Sequence, residues 1–272
     1  MFSWFKKRRR RQLLSQPFPP EWVEHLRQNV KHFGCLPPAQ QAKLQERIQV
    51  FVAEKEWVGC GGLEITDEMK VTIAGTACLL LLGFDEPYCF DGVRSILVYP
   101  GAYLHPPDRH EADGMVVEKT AVEGESWHRG PIVLSWQHVL AGAGRAADGE
   151  NVVLHEFAHH LDELYGGADG VPPLGSRREY QDWHDVTSQE FERLVRQSKR
   201  GTATLLDHYG AEDKAEFFAV ATEVFFEQPA EMRRRHPELY AILEKFYRQD
   251  PASWFEAPQP VRSRRKGQRR RG

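Results

Sequence analysis

The pentapeptide His155-Glu156-Phe157-Ala158-His159 constrains this chain more than any other stretch. A helix turns once in 3.6 residues, so two histidines four apart project from one face, about 5–6 Å apart at Cβ. Two imidazoles placed that way can close on one metal ion. Glu156 stands one step round from the first of them and faces the same space without having to bind the metal, which suits a general base that activates water. The pattern is HExxH, and it predicts metal-assisted hydrolysis.

The spacing carries this meaning only on a helix. Val153, Phe157, Ala158, Leu161 and Leu164 recur at helical intervals across residues 151–165, giving a core stripe beside the histidines. Asp148 is the expected N-cap, with Glu150 in the first turn against the helix dipole and Gly166-Gly167 as the stop.

A catalytic zinc site usually takes three protein ligands and leaves a fourth position open. The metzincin solution is excluded, because Asp162 and Tyr165 stand where that pattern needs Gly and a further His. The best source of the third ligand is a second apolar helix over residues 213–226. There Glu216 and Glu223 interrupt a row of Phe, Ala and Val. A buried carboxylate is costly unless a cation neutralises it. The two acids lie two helical turns apart, so both can face the first helix. Pairing with Arg or Lys at a solvent edge is the competing explanation, and it weighs more for Glu223 than for Glu216.

HEFAHHLD at 155–162, Tyr209 about fifty residues later and AEFFAV at 215–220 resemble the Mlc titration factor A family of bacterial zinc peptidases. Further matches in the right order are ILVYP at 96–100, Ser126-Trp127, GPIVLSW at 130–136, Gly170-Val171-Pro172 and FYRQDP at 246–251. Together they cover roughly residues 20 to 255. The catalytic half of that family is similar to the protease domain of anthrax lethal factor. The resemblance implies that His155, His159 and Glu216 hold one zinc ion and that Glu156 activates the water. It implies that Tyr209 steadies the oxyanion or protonates the leaving amine. It further implies aminopeptidase activity on small peptide substrates and binding to a Mlc-type transcriptional repressor of sugar uptake. A non-catalytic protein that sequesters such a regulator is the alternative.

At 272 residues and 41% hydrophobic content, the chain can bury one substantial core. The expected fold class is α+β: a zincin-like metallopeptidase core of small sheet and active-site helices, flanked by an N-terminal helical subregion. The expected boundaries are a basic disordered tail at 1–16, the helical subregion at 17–90, the zinc peptidase region at 91–257 and a second basic tail at 258–272. Helices are expected at 21–33, 39–57, from a Thr66-Asp67 cap to about Leu82, at 179–198 and at 237–247. Short apolar runs at 95–99 and 132–136 predict strands, and 116–120 is a weaker one. Residues 131–136 are proposed as a sheet edge on which an extended substrate pairs, a purely buried strand being equally consistent. The Gly- and Pro-rich stretch 166–175 is expected to line the cleft, and residues 202–209 to carry Tyr209 inward. Trp183 and Trp254 read as core.

The near-neutral total charge hides a strong asymmetry. Six Lys/Arg fall in residues 1–12 and seven in 261–272, leaving 23 basic against 39 acidic residues between them. Charge runs of this kind are usually solvated arms, with contact to anionic lipid or nucleic acid as the alternative. No apolar core follows the first run, so a signal peptide is not indicated. No stretch approaches the roughly 18 apolar residues of a membrane helix. The four cysteines show no CxxC spacing, which favours reduced thiols in the cytoplasm. His160 is expected in the second shell or at the surface, and Asp162 as a carboxylate orienting a ligand imidazole. His105, Asp108, His110 and Glu111 offer a weak second metal cluster.

Overall fold

The computed structural model describes residues 2–84, 88–101, 130–144, 149–165, 167 and 169–255. The expected strand at 116–120, Ser126-Trp127, the cluster around His105 and His110, the cap at Asp148 and the C-terminal basic run lie outside them.

The chain opens with helices α1 (Phe2–Leu14), α2 (Pro20–Asn29), α3 (Lys31–Cys35) and α4 (Pro38–Glu54), then strand β1 (Glu56–Gly59). Helix α5 (Asp67–Leu79) leads to β2 (Ser95–Tyr99), and β3 (Ile132–Ser135) runs directly into α6 (Trp136–Gly144). The remainder is helical: α7 (Val152–Asp162), α8 (Arg177–Lys199), α9 (Lys214–Glu227), α10 (Pro229–Arg235), α11 (Pro237–Tyr247) and α12 (Pro251–Trp254). A mostly helical body around one small sheet is consistent with the α+β class.

Local chemistry explains most of the helix starts. Proline opens α2, α4, α10, α11 and α12, where its missing N–H removes nothing the helix needs. Thr66, Ser176 and Asp213 cap α5, α8 and α9, each accepting from the backbone N–H three residues on.

The sheet is parallel, in the order β1-β2-β3, with Trp57 opposite Ile96 and Leu97 opposite Val133. The helix expected at 39–57 therefore stops early, and Trp57 belongs to β1. Pairing across the chain outweighs local helical periodicity here, since Glu56 N donates to Arg94 O at 2.9 Å and the ladder continues from there. Likewise the helix expected at 21–33 breaks at Val30 (φ −116°, ψ 88°) into α2 and α3. Trp136 leaves the strand and begins α6.

One continuous set of buried side chains runs from Leu26 to Trp254, and Trp183 and Trp254 belong to it. The inner face of α7 is seated in it. Phe157 lies between Phe90 (ring centroids 4.6 Å) and Phe51 (5.6 Å), so the middle of the HExxH segment is gripped by aromatics from α4 and the approach to β2.

The N-terminal basic run differs from expectation most. Instead of a disordered arm it forms α1, and Arg10 is only 8% exposed. Its guanidinium donates to Glu54 at 2.8 and 2.6 Å and to Asp91 at 2.5 Å, while Lys6, one turn earlier, reaches Asp91 at 2.9 Å. The acids that satisfy the run are distant in sequence, at the end of α4 and before β2.

Arg10→Met should therefore lower unfolding free energy by about 2 kcal/mol, because two acids lose a charged hydrogen-bond partner. Arg8→Met should leave stability within about 0.5 kcal/mol, since that side chain is exposed. Urea unfolding of both variants checks this.

Candidate metal centre

Two helices build the site. Helix α7 starts at Asn151, whose Oδ1 accepts from Leu154 N at 3.2 Å; Asn151 is the cap, and Glu150 precedes the helix instead of occupying its first turn. Helix α9 starts at Asp213, whose Oδ1 accepts from Glu216 N at 2.9 Å. That D-x-x-E arrangement fixes Glu216 in the first turn, where the helix dipole also favours a negative side chain. Beyond it, residues 217–227 are buried without exception.

The packing of α7 on α9 brings donor atoms of His155, His159 and Glu216 within 4.8 Å of one another, a group able to hold a metal ion. His155 Nε2 lies 3.0 Å from Glu216 Oε2, His159 Nε2 lies 3.4 Å from the same oxygen, and the two Nε2 atoms are 3.1 Å apart. Glu216 Oε2 is fully buried, yet neither imidazole approaches it with hydrogen-bond geometry. Lone-pair atoms converging around a buried, unsatisfied carboxylate oxygen are what a cation site requires.

The charges point the same way. Burial works against a charge on His155, but Glu216 and Glu223 on either side outweigh it and push its pKa up to about 10. Burial likewise opposes ionisation of Glu216, and the two imidazoles outweigh it, holding that carboxyl at about 2. The cluster thus needs one positive charge between its acids, which a proton or a divalent cation can supply. Glu156 is held above the ordinary carboxylate range by burial, against the pull of His155 and His159.

Glu223, given less weight than Glu216 on sequence grounds, is bound into the site from behind. Its Oε1 accepts from His155 Nδ1 at 2.8 Å, and its Oε2 accepts from the Asn151 backbone N–H. A carboxylate on Nδ1 selects the tautomer that presents Nε2 to the metal position. One turn on, Glu227 accepts from Asn151 Nδ2 at 2.9 Å and pairs with Lys31.

Asp162, by contrast, orients no imidazole. Its Oδ2 accepts from Gly170 N at 2.8 Å, and burial raises its pKa to about 6. Gly170 has φ +76°, and a Cβ there would meet Lys214 O at 2.2 Å, so only glycine lets this loop pass the start of α9. Trp183 Nε1 donates to Gly170 O at 2.9 Å, tying α8 to the same point. His160 is buried, its ring 5.9 Å from Phe90, and turns away from the metal group.

Tyr209 stands at the mouth of the site, on a short 3-10 turn (His208–Ala211), with its ring 6.0 Å from that of His155. It is 48% exposed, so it borders the site instead of filling it. Partial burial and the Glu216 and Glu212 carboxylates push its hydroxyl up to about 12, so it remains a proton donor.

Residues 4–248 match the model of the glucose-regulated metallo-peptidase M90 family. The chain belongs to the M90 metallopeptidase family. An uncharacterized protein of Synechocystis is 40% identical over 247 residues, 89% of each chain. Mlc titration factor A of Escherichia coli is 34% identical over 238 residues, 85% of this chain and 86% of its own. The Klebsiella pneumoniae protein of the same name is 34% identical over 223 residues, 79% and 82% of the two chains. The M90 match begins at residue 4 and so takes in α1, which the motif-level resemblance left out. M90 membership implies a metal cofactor, and the chemistry of the His155, His159 and Glu216 donors fits one.

Replacing Glu223 by Gln leaves one acceptor oxygen where His155 and Asn151 each need one. Affinity of Glu223→Gln for a divalent metal ion, measured by chelator competition, should fall by about 10- to 100-fold, with far-ultraviolet circular dichroism unchanged.

Proposed function

We propose that this M90 protein is a zinc-dependent peptidase, aminopeptidase-like in specificity, with His155, His159 and Glu216 as ligands of one zinc ion. The observation that carries this is the buried Glu216 Oε2, without a hydrogen bond and facing two imidazole nitrogens. When bound, the metal acidifies a water toward a pKa of about 7 and polarises the scissile carbonyl.

The chain's own residues do the remainder. Glu156 takes a proton from the attacking water at its carboxylate and later delivers it to the departing amine. Burial raises its pKa, which strengthens it as a base. Tyr209, protonated at neutral pH, donates a hydrogen bond to the oxyanion. Strand β3 pairs only with β2 among the described residues, which leaves an edge on which extended substrate backbone can add. Partial exposure of Tyr209 leaves room for that substrate to enter.

Four variants test the assignment. Glu156→Gln should retain zinc and lose about 10²–10⁴-fold in turnover. His155→Ala should lose zinc and turnover together. Tyr209→Phe should lower kcat by about 10²-fold with zinc content intact. Removing the acid, as in Glu216→Ala, should abolish stoichiometric zinc. Metal analysis alongside cleavage of free and N-terminally blocked peptides reads all four; full turnover in Glu156→Gln would overturn the mechanism.

The name shared by the Escherichia coli and Klebsiella relatives favours a second reading, in which this chain binds a Mlc-type transcriptional repressor and thereby regulates sugar uptake. On that reading hydrolysis is secondary or absent. Repressor binding by Glu156→Gln at wild-type affinity would separate binding from catalysis, and its loss would join them.

A further inference from the structure

Helix α1 has a second face that its anchoring does not use. Arg10 and Lys6 point inward to Glu54 and Asp91. Trp4, Arg8 and Arg11, spaced i, i+4 and i+7, form a stripe on the outward side, with Lys7 beside it, and all four are exposed. Trp4 is 54% exposed and its neighbour Phe5 is 59% exposed. The Arg8 guanidinium lies 5.7 Å from the Trp4 ring centroid, so the aromatic and the cations share one surface.

We propose that this face is a docking surface for an anionic lipid bilayer, with α1 lying in the plane of the headgroups. The first argument is charge. Helix α1 has no acid among its thirteen residues, whereas the chain between its two basic ends carries an excess of acids. Attraction to anionic headgroups is thus confined to the two basic ends, of which α1 is the one among the described residues, and the acidic body between them is repelled, which orients the molecule. The second argument is the exposed rings. Trp and Phe favour the boundary between headgroups and acyl chains, and arginine stems lie along it while their guanidinium groups stay hydrated. Weak apolar insertion holds reversibly when a polybasic patch accompanies it, and α1 supplies both.

Single-stranded nucleic acid would offer the same cations a partner, but it is held by aromatics that present flat faces along a groove. Here Trp4 and Phe5 pack edge to face, at 81° and 5.0 Å, on a convex helix. The contact proposed is peripheral, since no described helix is long and apolar enough to cross a membrane.

Flotation of the full-length protein with vesicles tests this. The wild-type chain should float with phosphatidylcholine vesicles containing about one-third phosphatidylglycerol, and release as salt rises from about 0.1 to about 0.5 M. It should ignore pure phosphatidylcholine. Reversing three exposed charges together, Lys7→Glu, Arg8→Glu and Arg11→Glu, should weaken partitioning by about a hundredfold. The double variant Trp4→Ser and Phe5→Ser should weaken it while keeping the salt dependence. None of these residues touches Glu54 or the metal group, so zinc content should not change. Wild-type flotation by the triple variant would place the contact on the Arg262–Arg271 run and overturn the proposal. Binding to a single-stranded oligonucleotide without binding to anionic vesicles would also overturn it.

Discussion

Everything at the candidate site depends on how α9 holds the start of α7. Glu223 accepts from the backbone N–H of Asn151, and Glu227, one turn later, accepts from the Asn151 side chain. The same asparagine caps α7 through Leu154 N. Two acids on one helix thus fix the first residue of the other, and His155 and His159 follow within two turns. Both acids are buried, so the arrangement is tolerable only because each is fully partnered, Glu227 by Lys31 from the N-terminal helices and Glu223 by His155. Removing one partner of such a pair costs about 3–5 kcal/mol, which makes the clamp all-or-none instead of graded.

The HExxH segment is legible as an amphipathic helix because its chemistry is local. His155 and His159 share a face by helical spacing alone, and the apolar positions around them match the buried ones. Glu216 was legible as an acid in an apolar row, and its capping by Asp213 lies within four residues. Glu223 ranks below it on sequence grounds because a buried acid can meet a metal, a cation or an N–H with the same local pattern around it. Its partners, Asn151 and His155, lie about seventy residues away. Asp162 failed for the same reason in reverse: adjacency to the motif suggested an imidazole, whereas a loop glycine took its oxygen.

The fold shows the same division. Strand β2 and helices α5, α8 and α11 were foreseen within a few residues, because their caps, prolines and periodicity are written nearby. Strand β1 was absorbed into a helix, since only the pairing with β2 distinguishes EWVG from a continuing turn. The basic run at the N-terminus looks solvated in sequence because its acids, Glu54 and Asp91, are distant. Composition marks what must be neutralised and leaves open by what.

That Glu216 and Glu223 sit on one helix has a mechanical consequence for the metal group. The acid that meets the imidazoles from the front and the acid that orients His155 from behind are two turns apart on α9, so they move as one body. A shift of α9 along its axis would carry both carboxylates past His155 together, changing the imidazole's direction and its neighbour at once. The site therefore resists small distortions from its exposed side near Tyr209. Its rigidity comes from the buried side, where Phe157 between Phe51 and Phe90 and the clamp on Asn151 leave α7 no freedom to follow.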